Sequence, residues 1–272
     1  MGTTPKILSI LFFFTVFQTQ IFGQKLNLKP NQTISIIGNT FAERLQHFGH
    51  LETLLQSLYP NHNLKIRNLG WSADELNLQP RPLNFGSMDE HLKNQKTDVI
   101  FACFGMNESF AGEAGLSEFE KQLNTFISHL KNQKYNGSST PQILLISPIA
   151  HEKIRRLKLN PDKHNSDLAK YTQKMSEVSD NQNIVFFDIF SKTKDLFKNS
   201  EPEMTINGIH LNEIGYQKTS EIIMEALGFK IDNFDWEKAE LLRQKIIEKN
   251  KQFFYRWRPV NGEYIYGRRK EP

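Results

Sequence analysis

One stretch of the chain holds a histidine placed to move a proton. In Ile206-Asn207-Gly208-Ile209-His210-Leu211-Asn212-Glu213-Ile214-Gly215-Tyr216, His210 stands two residues after a glycine and just ahead of an amphipathic segment. Asn212 is suited to cap a helix there, and Ile214, Ile222, Ile223, Ala226 and Leu227 give that helix an apolar face. An imidazole on a loop between a strand and a helix titrates near neutral pH and serves as a general base. Other loops offer what such a base would act on. Thr40 puts a hydroxyl at a helix start, where backbone N–H groups and the helix dipole favour developing negative charge. Gly70 leaves a backbone N–H approachable, and Asn107 brings a side-chain amide. Two N–H groups and an amide make a cradle for an oxyanion. His210 would activate the hydroxyl, and Asn207, three residues before it, would orient the imidazole. That is the outline of an acyl-transfer site.

The elements that must position these groups follow from hydrophobic pattern. Residues 34–37, 64–69, 99–104, 143–146 and 184–187 read as strands, mostly short apolar runs closed by Gly, Pro or Asp. Helical spacing runs from about Thr40 to Leu58, then over 116–130, 165–179 and the segment after His210. The stretch holding Pro80, Pro82 and Gly86 reads as loop. Strands alternating with helices imply a parallel sheet with right-handed crossovers, covered on both faces. In such sheets, ligands sit beyond the carboxyl ends of the strands. That rule gathers Asn39 and Thr40, residues 70–72 and 106–108, His151, and Asn207 with His210 along one edge.

Composition sets the frame. Lys6 followed by an apolar run over 7–17 reads as a secretory signal over residues 1–24, too short and too interrupted by Gln18 and Gln20 for a stable membrane span. The protein is therefore expected to be exported, to the periplasm or the extracellular space. The remainder suffices for one large α/β domain. Cys103 is the only cysteine, so no internal disulfide forms, and its apolar surroundings make it a buried small hydrophobe. The net charge of +4 is mild and concentrates towards the C-terminus, where Arg256, Arg258 and Arg268 mix with Phe253, Phe254, Tyr255 and Trp257. Export argues against nucleic acid, and an aromatic docking tail is the preferred reading. Residues 236–254 form an amphipathic pattern with Asp235 as N-cap and Pro259 beyond its end, an appendage that bridges to a partner or a further C-terminal domain. Glu43 and His47, four apart, have no third ligand at useful spacing, so no metal is expected, and no glycine pattern supports a nucleotide or other cofactor. His47, His50 and His62 read as surface residues, and Asp74, Glu108 and Glu113 as solvated loop acids.

At the loop residues the chain resembles the SGNH, or GDSL-type, hydrolases. Gly38-Asn39-Thr40 stands where that family has Gly-Asp-Ser. Gly70 stands for the glycine after strand two, Gly105-Met106-Asn107-Glu108 for Gly-x-Asn-Asp, and Asn207-Gly208-Ile209-His210 for Asp-x-x-His. The resemblance implies a three-layer α/β/α fold with a five-stranded parallel sheet of flavodoxin-like topology over residues 30–229, followed by the appendage at 230–272. It implies an esterase acting on small or carbohydrate O-acyl esters, with Thr40, His210 and Asn207 catalytic and Gly70 and Asn107 as the oxyanion hole. Two positions depart from the family. Thr40 replaces serine, and its methyl group crowds attack. Asn207 replaces aspartate and brings no charge to the imidazolium. Glu108 is the candidate for a substitute carboxylate and Ser72 for a substitute hydroxyl. The alternatives are a binding module that keeps the cleft without turnover, or the head domain of a longer exported protein.

Overall fold

The computed structural model describes residues 26–158, 160–198 and 201–258. The expected signal at 1–24 and the segment after Arg258 lie outside them. Five strands, β1 (Thr33–Gly38), β2 (Lys65–Asn68), β3 (Val99–Cys103), β4 (Gln142–Ile146) and β5 (Val185–Phe187), pair in parallel in the order β2-β1-β3-β4-β5. This is the flavodoxin-like order, with its topological switch point between β1 and β3.

Alternation along each strand divides the interior into two cores. Ile34, Ile36, Val99, Phe101, Cys103, Leu144 and Ile146 face one side. There they meet α1 (Thr40–Phe48), α2 (His50–Leu58) and α7 (Glu213–Ala226) through Leu45, Leu51, Leu54, Ile223 and Met224. Ile37, Ile100, Ala102, Ile143 and Leu145 face the other side. There they meet α4 (Leu116–Lys131) and α5 (Asp162–Gln182) through Phe119, Leu123, Ile127, Tyr171 and Met175. Period two in the strands and period 3.6 in the helices thus converge on one sheet buried on both faces.

Several segments differ from expectation. The single helix expected from Thr40 to Leu58 is two, because Gly49 adopts φ 70° and caps α1 through its N–H to Leu45 O. The apolar spacing runs unbroken across both helices, which hid the corner. The loop after β2 contains α3 (Met88–Asn94), begun by a capping box between Ser87 and Glu90. A 3-10 helix (Glu108–Gly115) and α6 (Ile189–Lys198) are further elements that the hydrophobic pattern did not mark. His50 is buried, not on the surface, with its ring edge-on to Trp236. Asp74 and Glu108 are buried as well.

The C-terminal helix α8 (Trp236–Trp257) is docked rather than detached. Ala239, Ile246, Asn250 and Trp257 are buried. Lys249 bonds Glu52 and also donates to Ile66 O at 3.3 Å. Asp235 caps the helix by accepting from Lys238 N at 3.1 Å. Among the described residues, no helix is long and apolar enough to cross a membrane.

Candidate active site

The residues around Thr40 are fixed first by backbone chemistry. Gly38, at φ 129°, lies so close to β3 that an added Cβ would fall 2.0 Å from Cys103 O. That packing brings the chain to Asn39, whose side chain accepts from Phe41 N at 3.0 Å and starts α1. Thr40 is the first helical residue and is half-buried. Its Oγ1 accepts from Ala73 N at 3.3 Å, which ties the hydroxyl to the loop after β2.

Gly70 serves that same corner by being small. A Cβ there would lie 2.5 Å from Glu43 N. Its N–H donates to Asn68 Oδ1 at 2.9 Å, while Asn68 Nδ2 donates to Ala42 O at 2.7 Å. The Gly70 amide expected in the oxyanion cradle is therefore directed at Asn68 in this structure. Asn107 keeps a half-buried side-chain amide that bonds no group among the described residues, so it is available to a ligand.

Glu108 does not approach the imidazole. Its carboxylate is buried and accepts from Leu76 N at 3.1 Å and Gly105 N at 2.9 Å. Burial pushes its pKa up to about 7, against the pull of these N–H groups. Ser72 is exposed and donates to Glu43 Oε2 at 3.3 Å, and Glu43 Oε1 lies 3.3 Å from His47 Nε2. Burial opposes ionisation of Glu43. The hydrogen bond and charge of His47, the charge of Arg258 and the Ser72 hydroxyl outweigh it and lower the pKa. The carboxylate stands between hydroxyl and imidazole, so His47 has no direct path to the Ser72 proton.

The histidine sits at the tip of a small hairpin. Thr205 and Leu211 form an antiparallel bridge, and Ile206 N donates to His210 O at 2.8 Å. Asn207 Oδ1 accepts from His210 N at 3.0 Å, which folds its amide onto the ring: Nδ1 of His210 lies 2.9 Å from Asn207 Nδ2 and 3.1 Å from Oδ1. These two contacts have opposite consequences. If the carbonyl accepts the Nδ1 proton, Nε2 is free to act as a base. If the amide donates to Nδ1, the proton sits on Nε2 and the base is lost. An aspartate would allow only the first. Burial and then the charge of Arg44 lower the His210 pKa, so the ring is neutral at neutral pH. Arg44 lies one turn beyond Thr40 on α1, and Tyr216 of α7 donates to Phe41 O at 3.2 Å, so hairpin and helix share one neighbourhood. No hydrogen bond joins Thr40 Oγ1 to His210 among the described residues.

Two residues that sequence reasoning missed or left unexplained hold the hairpin. Glu152, buried, accepts from Met204 N, Thr205 N and Thr205 Oγ1 at 2.6–3.1 Å, and its own N–H donates to Gly208 O at 2.8 Å. His151 packs so closely on Gly208 that an added Cβ would lie 2.6 Å from its ring. His151 Nδ1 meets His164 Nδ1 at 3.0 Å, and His164 Nε2 meets Ser109 Oγ at 2.9 Å. This chain links the hairpin to the Asn107 loop. Burial, with His151 beside it, pushes the His164 pKa down to about 4. Among the described residues, no three His, Cys, Asp or Glu side chains converge as a metal site.

An imidazole, a hydroxyl and an amide thus stand on separate loops that follow parallel strands β5, β1 and β3, and these are the groups an acyl hydrolase uses. The GDSL-like lipase/acylhydrolase family matches residues 37–218 of this 272-residue chain, and the chain belongs to that family. Among curated proteins, no sequence matches it. Its fold is shared with an acetylxylan esterase from Geobacillus stearothermophilus, at TM-score 0.60 and 16% identity over 77% of this chain and 100% of that one. It is shared also with an α/β hydrolase from the metagenome of Lake Arreo, at TM-score 0.55 and 15% identity over 74% and 96%.

Proposed function

We propose that the chain is an exported hydrolase of small or carbohydrate-borne O-acyl esters that works with an altered triad. The observation that carries this reading is the neutral His210 imidazole, clasped by Asn207 beside the helix that begins with Thr40. In one route, Thr40 Oγ1 attacks the ester carbonyl while its proton passes to His210 Nε2. The C–O bond to the alcohol then breaks, and the alcohol leaves with that proton. Water, deprotonated by His210, releases the acid. In the other route, His210 activates water directly and Thr40 only lines the site. In both, Asn107 and the Thr40 N–H at the start of α1 hold the oxyanion, Phe41 N being taken by Asn39. The acetylxylan esterase of like fold supports acylated sugar as the substrate class. Export rests on the pattern of residues 1–24.

Hydrolysis of p-nitrophenyl acetate tests the reading. Activity lost in both Thr40→Ala and His210→Ala supports the first route, and loss in His210→Ala alone supports the second. Activity unchanged in both variants sinks the assignment. A second reading, a binding module without turnover, is favoured by the missing Thr40–His210 hydrogen bond and by the uncharged Asn207. A large rise in rate on Thr40→Ser would count against it.

A further inference from the structure

A cavity of about 460 Å³ lies against α8. It is walled by Arg67 of β2, by His91, Asn94 and Gln95 at the end of α3, and by Phe253, Arg256 and Trp257 of α8. We propose that this cavity is a binding site for a small ligand carrying a carboxylate or phosphate group, lined by neither Thr40 nor His210. The proposal stands whether or not those residues turn over ester.

The lining is one-sided in charge. It contains two guanidinium groups, two side-chain amides and no carboxylate. Neither Arg67 nor Arg256 forms an ion pair among the described residues. Glu52, the buried acid within electrostatic reach of Arg67, is already bonded to Lys249. The Arg67 guanidinium lies 5.1 Å from the Phe253 ring centroid, which fixes its position over an aromatic face. Its Nη1 donates to Ile66 O at 3.2 Å, and its other N–H groups remain for a ligand.

Phe253 and Trp257 add aromatic surface to the same wall as these cations. Guanidinium groups match planar oxyanions in pairs, and charge-assisted bonds of this kind are about twice as strong as neutral ones. Phe253, Arg256 and Trp257, part of the mixed basic and aromatic stretch towards the C-terminus, line this cavity.

The test is calorimetric titration of the full chain, at constant ionic strength, with sodium glucuronate, inorganic phosphate and, as neutral control, glucose. Tryptophan fluorescence is followed in parallel. Binding of either anion with none of glucose is expected. Glucuronate alone would indicate an acidic sugar, phosphate alone a phosphorylated ligand. Arg256→Ala, an exposed position that leaves the fold intact, is expected to weaken binding about tenfold. Trp257→Phe keeps an aromatic wall but removes the indole beside the cavity, and should abolish the fluorescence change. p-Nitrophenyl acetate hydrolysis should be unaltered by Arg256→Ala, which separates this site from Thr40 and His210. No binding of either anion, glucose binding as well as they do, an affinity unchanged in Arg256→Ala, or a fluorescence change kept in Trp257→Phe would overturn the proposal.

Discussion

Two loops carry the candidate amide and imidazole, and each is tied down by a buried glutamate. On the amide side, Glu108 gathers Leu76 N and Gly105 N. On the imidazole side, Glu152 gathers Met204 N, Thr205 N and the Thr205 hydroxyl. Both carboxylates serve backbone donors, and among the described residues no hydrogen bond joins either to Thr40 or His210. The position that meets the imidazole holds Asn207. Acidic groups here hold the loops, and the side chains proposed to react are neutral.

Removing the Glu152 carboxylate should have the largest effect. Glu152→Ala leaves three buried donors unmet, and we expect a loss of about 3–5 kcal/mol in urea unfolding, with His210-dependent activity lost as well. A loss below about 1 kcal/mol would show that the Thr205–Leu211 bridge holds the hairpin unaided. Restoring an acid at the imidazole is the converse experiment. Asn207→Asp should raise turnover about a hundredfold, within the roughly 10⁴ that the reverse change costs a serine protease. An unchanged rate would mean that His210 is not acting as a base.

pH acts in opposite senses on the buried Glu108 and on the buried His50 of α2. Glu108 has a raised pKa, so its folded form holds a proton that the unfolded chain gives up. Its contribution is present below about pH 4.5 and is lost as pH rises through about 7. His50, pushed down to about 4 chiefly by burial, does the reverse: its contribution is present above about 6.5 and is lost as pH falls through about 4. The two slopes oppose each other between pH 4.5 and 6.5, each worth about 2–3 kcal/mol in all. His50→Phe should therefore unmask a fall in stability with rising pH, measured as Tm across that range. Glu108→Gln should leave a rise. Identical profiles in both variants would remove the burial account. Gly49→Ala should cost least, about 1 kcal/mol, from its positive φ and from crowding Ile247 Cγ1 at 3.1 Å. Unchanged urea unfolding would show that the corner between α1 and α2 adapts.

How much of this was legible in sequence differs by element. The strands were plain, because a sheet buried on both faces writes itself as apolar runs such as 99–103. The loops gathering Thr40, Asn107 and His210 followed from the strand ends. Helix α3 was missed because it buries only Leu92, though Ser87 and Glu90 carried its capping signal. The burial of Asp74, Glu108 and Glu152 could not be read at all. An acid goes inside only where the fold brings groups to receive it: Arg81, seven residues on, at 2.6 and 2.7 Å for Asp74, Leu76 N for Glu108, and the Met204–Thr205 segment for Glu152. Likewise, nothing local announced that the Gly70 amide would turn to Asn68.

The outer carbonyl of Ile66 on β2, the margin of the sheet, receives both Arg67 Nη1 and Lys249 Nζ. Two cations thus sit where another β-strand would add. A chain cut before α8 would lose the lysine and the helix that shields this margin, and two such chains could zip together edge to edge. The C-terminal helix, besides walling a cavity, thus covers a margin of the sheet that would otherwise lie open to another strand.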